Sequence, residues 1–260
     1  MSASESVSSV GLGLNAPFHH RGSNGEAVLV IHGFTAGPAS VLPWAQAFAD
    51  AGYTVDLPVL PGHVTRWQEL AKTPYTEIIS AVERAYEALA ANHTRVYVAG
   101  MSMGGALALH LAETHRPAGL ALINPGLSIA SPVAKLTGVL RFVIPSIPSI
   151  ANDIAKPGGD EQAYDRTPIG GVHQIRKLFK QTIAALPKIV APMIVFRSEQ
   201  DHVVPESSIE HLRKGLTPAV ELRLRRLPRS FHVATLDYEA EQIFAESIEF
   251  FKEKSGKHHD

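Results

Sequence analysis

Short apolar runs rich in β-branched residues recur along this chain, and the stretches between them carry apolar positions at helical spacing. Residues 27–32, 53–57, 95–99, 119–124, 193–197 and 220–227 read as strands, and residues 38–51, 74–91 and 237–251 as helices. Trp67 and Leu70 are expected to pack just ahead of the second helix, and Asp237 to open the last one with the acidic first turn that the helix dipole favours. Strands alternating with helices give a mostly parallel sheet covered by helices on both faces, an α/β fold. In the last strand Leu222, Leu224 and Leu227 alternate with Arg223, Arg225 and Arg226, the pattern of a sheet edge.

Residues 125–191 interrupt this alternation. They are punctuated by Pro and Gly, contain one helical stretch at residues 172–186, and are not needed to build the sheet. An insertion at the carboxyl ends of the strands overhangs the site those ends form, so the segment is expected to be a cap. The core is then assigned to residues 26–124 and 192–254, and the Ser- and Gly-rich residues 1–25 to an N-terminal arm. The most apolar stretch, residues 127–151, contains Lys135 and Arg141 and is broken by Pro132, Pro145 and Pro148, so it does not span a bilayer as one helix. The first twenty residues have neither the basic start nor the apolar core of a signal peptide, so a cytoplasmic protein is expected, and the tail Lys257-His258-His259-Asp260 is expected to be solvated.

Composition narrows the functional classes. With 45% hydrophobic and 19% charged residues in 260, a sizeable core is available. A net charge of −1 and a pI near 6.9 provide no broad basic field for nucleic acid. The absence of cysteine excludes disulfides, a thiol nucleophile and thiolate metal sites. No His-Glu-x-x-His occurs, and His19-His20 and His258-His259 are terminal pairs, so no metal site is expected.

The chemistry is concentrated at Gly100-Met101-Ser102-Met103-Gly104, between an apolar run and a helix-forming one. A strand, a sharp turn carrying a serine and a helix form a nucleophile elbow; glycines on either side let strand and helix approach while the hydroxyl is held out above the sheet edge. A serine nucleophile needs a base and the base an orienting acid, in the chain order Ser, Asp or Glu, His. His232, just after the last strand, is the candidate base; after the strand at residues 193–197, Glu199 and Asp201 compete as the acid, and the shorter Asp201 is preferred. Two backbone N–H groups must face the developing oxyanion: that of Met103, after the nucleophile, and that of Phe34, in the loop following the first strand. His32 and His63 read as loop-bracing histidines, and His202 as a side chain facing away from the triad.

His32-Gly33-Phe34-Thr35, Gly100-Met101-Ser102-Met103-Gly104-Gly105, Asp201-His202-Val203-Val204-Pro205 and His232-Val233-Ala234-Thr235-Leu236-Asp237-Tyr238 together resemble the bacterial monoacylglycerol lipases of the α/β-hydrolase fold. The resemblance runs from about residue 26 to 251 and implies Ser102 as nucleophile, Asp201 as acid, His232 as base, and Phe34 and Met103 as oxyanion donors. It further implies a small cap that recognises one acyl chain and a glycerol head. By the match of Asp160-Glu161-Gln162-Ala163-Tyr164, Glu161 contacts the glycerol hydroxyls, against the plain reading of an exposed glutamate at a helix start; Ile150 and Asn124 are the other candidate substrate contacts. Where relatives often have Gly-His-Gly, this chain has Gly62-His63-Val64.

The expected activity is therefore cofactor-free hydrolysis of monoacylglycerols through an acyl-enzyme, with transient contact between the cap and a membrane surface. A general short-chain carboxylesterase is the first rival, and a non-catalytic binding protein of the same fold, which usually lacks a triad member, the second.

Overall fold

The computed structural model describes residues 13–130 and 136–256. Their strands and helices follow in the order β1 (Phe18–His20), β2 (Ala27–Ile31), α1 (Leu42–Asp50), β3 (Thr54–Leu57), α2 (Trp67–Leu70), α3 (Tyr75–Ala90), β4 (Val96–Met101), α4 (Met103–Ala112) and β5 (Leu120–Ile123). Then come α5 (Thr137–Leu140), β6 (Ser146–Pro148), β7 (Arg166–Pro168), α6 (Ile169–Ala185), β8 (Met193–Ser198), α7 (Ser207–Gly215), β9 (Leu222–Leu227) and α8 (Ala240–Ser255).

Seven strands form one sheet in the order β1-β3-β2-β4-β5-β8-β9, parallel throughout except for β1, which runs antiparallel to β3. Because successive side chains in a strand point to opposite faces, the consecutive apolar residues of β2 serve two cores at once. Ala27, Leu29 and Ile31 join Val98, Leu122 and Val195 in a core covered by α3, α4, α6 and α7. Val28 and Val30 join Tyr97, Ile123 and Phe196 in a second core under α1 and α8. Complete burial of each large aliphatic side chain contributes about 1.5–3 kcal/mol. In the second core the Tyr97 and Phe251 rings stack at 4.3 Å, and the Tyr97 hydroxyl donates to the Phe251 carbonyl, which fixes the end of α8 beneath β4.

Three expectations are corrected here. The described part of the segment assigned to an arm is tied to the sheet: β1 pairs Phe18 with Leu57 and His20 with Val55, so main-chain pairing takes the place of side-chain burial in a run too polar to read as a strand. Residues 1–12, the tail at 257–260, and Pro132 and Lys135 lie outside the described residues. Asp237 is not in a helix; it is buried three residues ahead of α8 and accepts hydrogen bonds from the Ala155, Lys156 and Phe231 amides. The plain reading of Glu161 as an exposed glutamate at a helix start, the alternative to a glycerol contact, does not hold: Glu161 lies buried in coil.

Between β5 and β8, the hairpin β6–β7 and the helices α5 and α6 sit on the carboxyl ends of the strands. Among the described residues no helix is long and apolar enough to cross a membrane.

Candidate active site

Ser102 is the residue between β4 and α4, with φ 58° and ψ −117°. A non-glycine residue takes this left-handed backbone only when its surroundings enforce it. Here the Ser102 amide donates to the Ile123 carbonyl at 2.9 Å and its carbonyl accepts from Gly126 at 3.0 Å, so the turn is clamped to the end of β5. A Cβ on Gly100 would be driven into the Gly104 carbonyl, and one on Gly104 into the Ile31 carbonyl. The two glycines thus permit the contact between strand, helix and β2 that holds the serine in place. Met103 is the first residue of α4, where an N–H has no partner within the helix and the helix dipole is positive.

The loop after β2 carries Phe34 to the same edge. His32 braces it: Nε2 accepts the Leu60 amide at 3.2 Å, so the proton sits on Nδ1, which donates to the Gly33 carbonyl at 2.9 Å. Burial lowers the pKa of His32 to about 3 and that of the neighbouring His63, whose ring meets it edge-on at 5.0 Å, to about 4. Both are neutral supports for the loop, as their sequence context suggests.

Asp201, not Glu199, meets the imidazole. Its fully buried carboxylate accepts His232 Nδ1 at 3.0 Å together with the Val203 and Val204 amides at 2.9 and 2.8 Å, all on Oδ1. Oδ2 accepts Arg197 Nη1 at 2.5 Å. Burial works to raise the Asp201 pKa, but the His232 charge and hydrogen bond, the Val204 amide and Arg197 hold it below the usual carboxylate range. An ionised Asp201 accepts only, so Nδ1 of His232 carries the proton and the neutral ring keeps Nε2 as its basic atom. Burial alone would lower the His232 pKa; Asp201, with Glu161 and Asp153 nearby, holds it above the ordinary value instead.

The backbone of the histidine loop is held from three sides. Asn124 Nδ2 donates to the His232 carbonyl at 2.8 Å and to Ser198 Oγ at 2.9 Å, while Ser198 Oγ donates to the Phe231 carbonyl at 2.7 Å. Asp153 Oδ2 accepts the His232 amide at 3.1 Å and the His202 amide at 3.2 Å. Asp237 Oδ2 accepts the Phe231 amide at 2.8 Å.

Ser102, Phe34, Met103, His232, Glu161 and Ile150 all line one cavity of about 500 Å³, within the range of small-molecule sites. Asn124 does not. Its side chain is spent on Ser198 and the His232 loop, so its expected contact with substrate is replaced by a supporting role. His202 also departs from expectation: it lines the cavity, with Nδ1 on Asp153 Oδ1 at 2.7 Å.

The lining is of two kinds. Ile169, Val172, Ile175 and Phe179, spaced by three and four residues, present one face of α6, joined by Leu140 and Ile144. Asp153 and Glu161 supply negative charge beside His232. Glu161 Oε1 accepts the Asn152 amide at 2.8 Å while its own amide donates to Asn152 Oδ1 at 2.9 Å, and burial raises its pKa. Ile150 is 64% exposed. Asp153 was not apparent from the sequence; its one signal is an acid standing alone in the apolar first half of the cap segment. No group of three His, Asp or Glu side chains among the described residues is arranged to hold a metal ion.

Residues 28–246 match the model of the alpha/beta hydrolase family. The chain is 39% identical over 233 residues to the thermostable monoacylglycerol lipase of Bacillus sp. (strain H-257), covering 88% of this chain and 91% of that one. It is 24% identical over 237 residues to a carboxylesterase of Bacillus subtilis (strain 168), covering 91% and 96%. A solved structure from work on the metagenome-derived lipolytic enzymes LipS and LipT superposes with a TM-score of 0.88 at 33% identity, over 93% of this chain and 99% of that one. With a serine elbow, a parallel sheet of this order and a match across most of its length, the chain belongs to the alpha/beta hydrolase family.

Proposed function

We propose that this protein is a serine hydrolase that cleaves monoacylglycerols to fatty acid and glycerol. The observation that carries the reading is the Asp201–His232 pair opening, with Ser102 on its strained turn, into one largely apolar cavity.

Ser102 Oγ attacks the ester carbonyl as Nε2 of His232 takes its proton, and Asp201 stabilises the resulting imidazolium. The negative charge moves to the carbonyl oxygen, where the Phe34 and Met103 amides receive it. Collapse of the tetrahedral intermediate breaks the bond to the glycerol oxygen, which leaves with the proton held on His232. Water, deprotonated by the same nitrogen, then attacks the acyl-enzyme, and His232 returns the proton to Ser102 as the fatty acid leaves. The bonds require no cofactor.

The substrate class rests on the lining and on the Bacillus sp. relative named as a monoacylglycerol lipase. The apolar face of α6 suits one acyl chain. Glu161, with Oε1 engaged by Asn152, has Oε2 for a glycerol hydroxyl, and Ile150 adds an apolar side chain to the lining. Residues 125–191 act as the cap over a core of residues 26–124 and 192–254. Val139, Phe142 and Val143, neighbours in sequence of the cavity-lining Leu140 and Ile144, are between 72% and 77% exposed, a patch suited to transient contact with a membrane from which a sparingly soluble lipid is taken. A general carboxylesterase is the second reading, favoured by the B. subtilis relative.

The catalytic reading is tested with a fluorophosphonate probe, which transfers its phosphonyl group to an activated serine with loss of fluoride. The expected result is labelling of the peptide containing Ser102 in the native enzyme and none in S102A; labelling and esterase activity surviving in S102A would overturn it.

A further inference from the structure

Arg197 is the fifth residue of β8, and its side chain is only 4% exposed. A guanidinium so far from water is tolerated only if its donors are met. Nη1 donates to Asp201 Oδ2 at 2.5 Å, Nη2 to the Val204 carbonyl at 2.8 Å and Nε to Glu206 Oε2 at 3.0 Å. Glu206 in turn accepts Arg226 Nη1 on Oε2 at 3.0 Å and Nη2 on Oε1 at 2.6 Å. Charges of alternating sign therefore run from the exposed Arg226 on β9, through Glu206 and Arg197, to Asp201 and His232. The four residues before Arg197 in β8 are buried apolar side chains, so the arginine breaks the pattern of its strand at the one position that reaches the acid.

We infer that Arg197 is a positioning residue for the catalytic pair, occupying the Asp201 oxygen that His232 does not use and drawing off part of its charge, so that the basicity of His232 is set by an ion chain reaching the surface. This rests on reading Asp201 and His232 as acid and base of a serine hydrolase. The geometry makes the division of labour concrete. Oδ1 serves the imidazole and two loop amides, while Oδ2 serves the arginine, and the carboxylate plane cannot turn without breaking one set. A cation on the far oxygen opposes the pull of the carboxylate on the imidazolium, and Glu206, sharing Arg197 with Asp201, moderates that opposition. The other charged groups facing His232 are Asp153 and Glu161, with His202 on the far side of Asp153, and none of them touches Arg197 in this network.

The test is the pH profile of kcat/KM for a soluble ester in the native enzyme, R197M, R197K and E206Q. Removing the cation in R197M is expected to shift the acid-limb midpoint upward by about half a pH unit to one unit and to lower kcat. R197K, which keeps the charge, is expected to restore most of the midpoint. E206Q leaves the Arg197 charge undivided and is expected to move the midpoint the opposite way. Glu206 is half-exposed, so this variant carries the test should R197M fail to fold. A midpoint unmoved in E206Q, or shifts of the same sign in R197M and E206Q, would overturn the inference. Activity persisting in S102A would instead overturn the catalytic reading beneath it.

Discussion

Asp153, in the cap segment, accepts the backbone N–H of His232 at 3.1 Å. The same oxygen takes the His202 amide, and the other takes His202 Nδ1 at 2.7 Å, so one carboxylate from the segment between β5 and β8 fixes the loops that carry Asp201 and His232. D153A leaves two amides beside the cavity without their acceptor, at a cost of about 1–3 kcal/mol in stability. A fall in kcat of about tenfold or more is expected, since a small displacement of the imidazole is costly to proton transfer. Steady-state kinetics beside thermal unfolding check this; a variant of native kcat would show that the cap does not position His232.

Gly104 touches the Ile31 backbone where α4 crosses β2, and a methyl group there meets a carbonyl that cannot move without disturbing the sheet. G104A is expected to lose about 1–3 kcal/mol, with activity falling as the elbow shifts. At Gly256 a Cβ would meet nothing within 4 Å, so G256A should match the native protein. Equal unfolding free energies for the two variants would contradict the packing argument.

The pH dependence follows from His232. Its pKa in the folded protein lies above the ordinary 6.5, and only the neutral ring accepts the serine proton, so kcat/KM should rise with pH through a midpoint above 6.5. The same shift makes His232 a contributor to stability that is fully present below pH 6.5 and lost as the pH rises through the folded value. D201N removes the stabilising charge: the midpoint should drop and the rate fall by roughly 10³–10⁴. A D201N midpoint at or above that of the native enzyme would contradict the assignment.

Val64 occupies the left-handed region at φ 56°, where a β-branched side chain is strained by roughly 1–3 kcal/mol. This is the physical meaning of its departure from the Gly-His-Gly pattern. V64G releases the strain while costing about 0.5–1 kcal/mol of backbone entropy and losing the methyl that covers Gly37. The expected net is about 1 kcal/mol of added stability, read as a higher denaturant midpoint; a lower one would mean that the methyl contact outweighs the strain.

What the sequence revealed and what it hid have separate physical causes. The sheet interior was legible because β2, β4, β5 and β8 are apolar at consecutive positions, and the elbow because its glycines are required by local geometry around Ser102. Asp201 and His232 were singled out through the order in which strand ends supply a triad, and the structure pairs their side chains at 3.0 Å. Contacts between distant segments left no local signal. β1 is held by main-chain pairing, Asp237 serves amides of the cap and of the histidine loop rather than its own helix, and Asn124 turns inward to Ser198 and the His232 carbonyl. Asp153 likewise acquires its partners only when the loops after β8 and β9 meet the segment between β5 and β8.

Monoacylglycerol specificity is tested most directly by hydrolysis of a monoacylglycerol series against methyl esters of the same acyl lengths, with native enzyme, E161Q and S102A. A clear preference for the glycerol esters is expected, narrowed in E161Q through their KM while the methyl esters are unaffected, with no turnover by S102A. Equal rates on both series with no effect of E161Q would contradict a monoacylglycerol lipase and leave a general carboxylesterase.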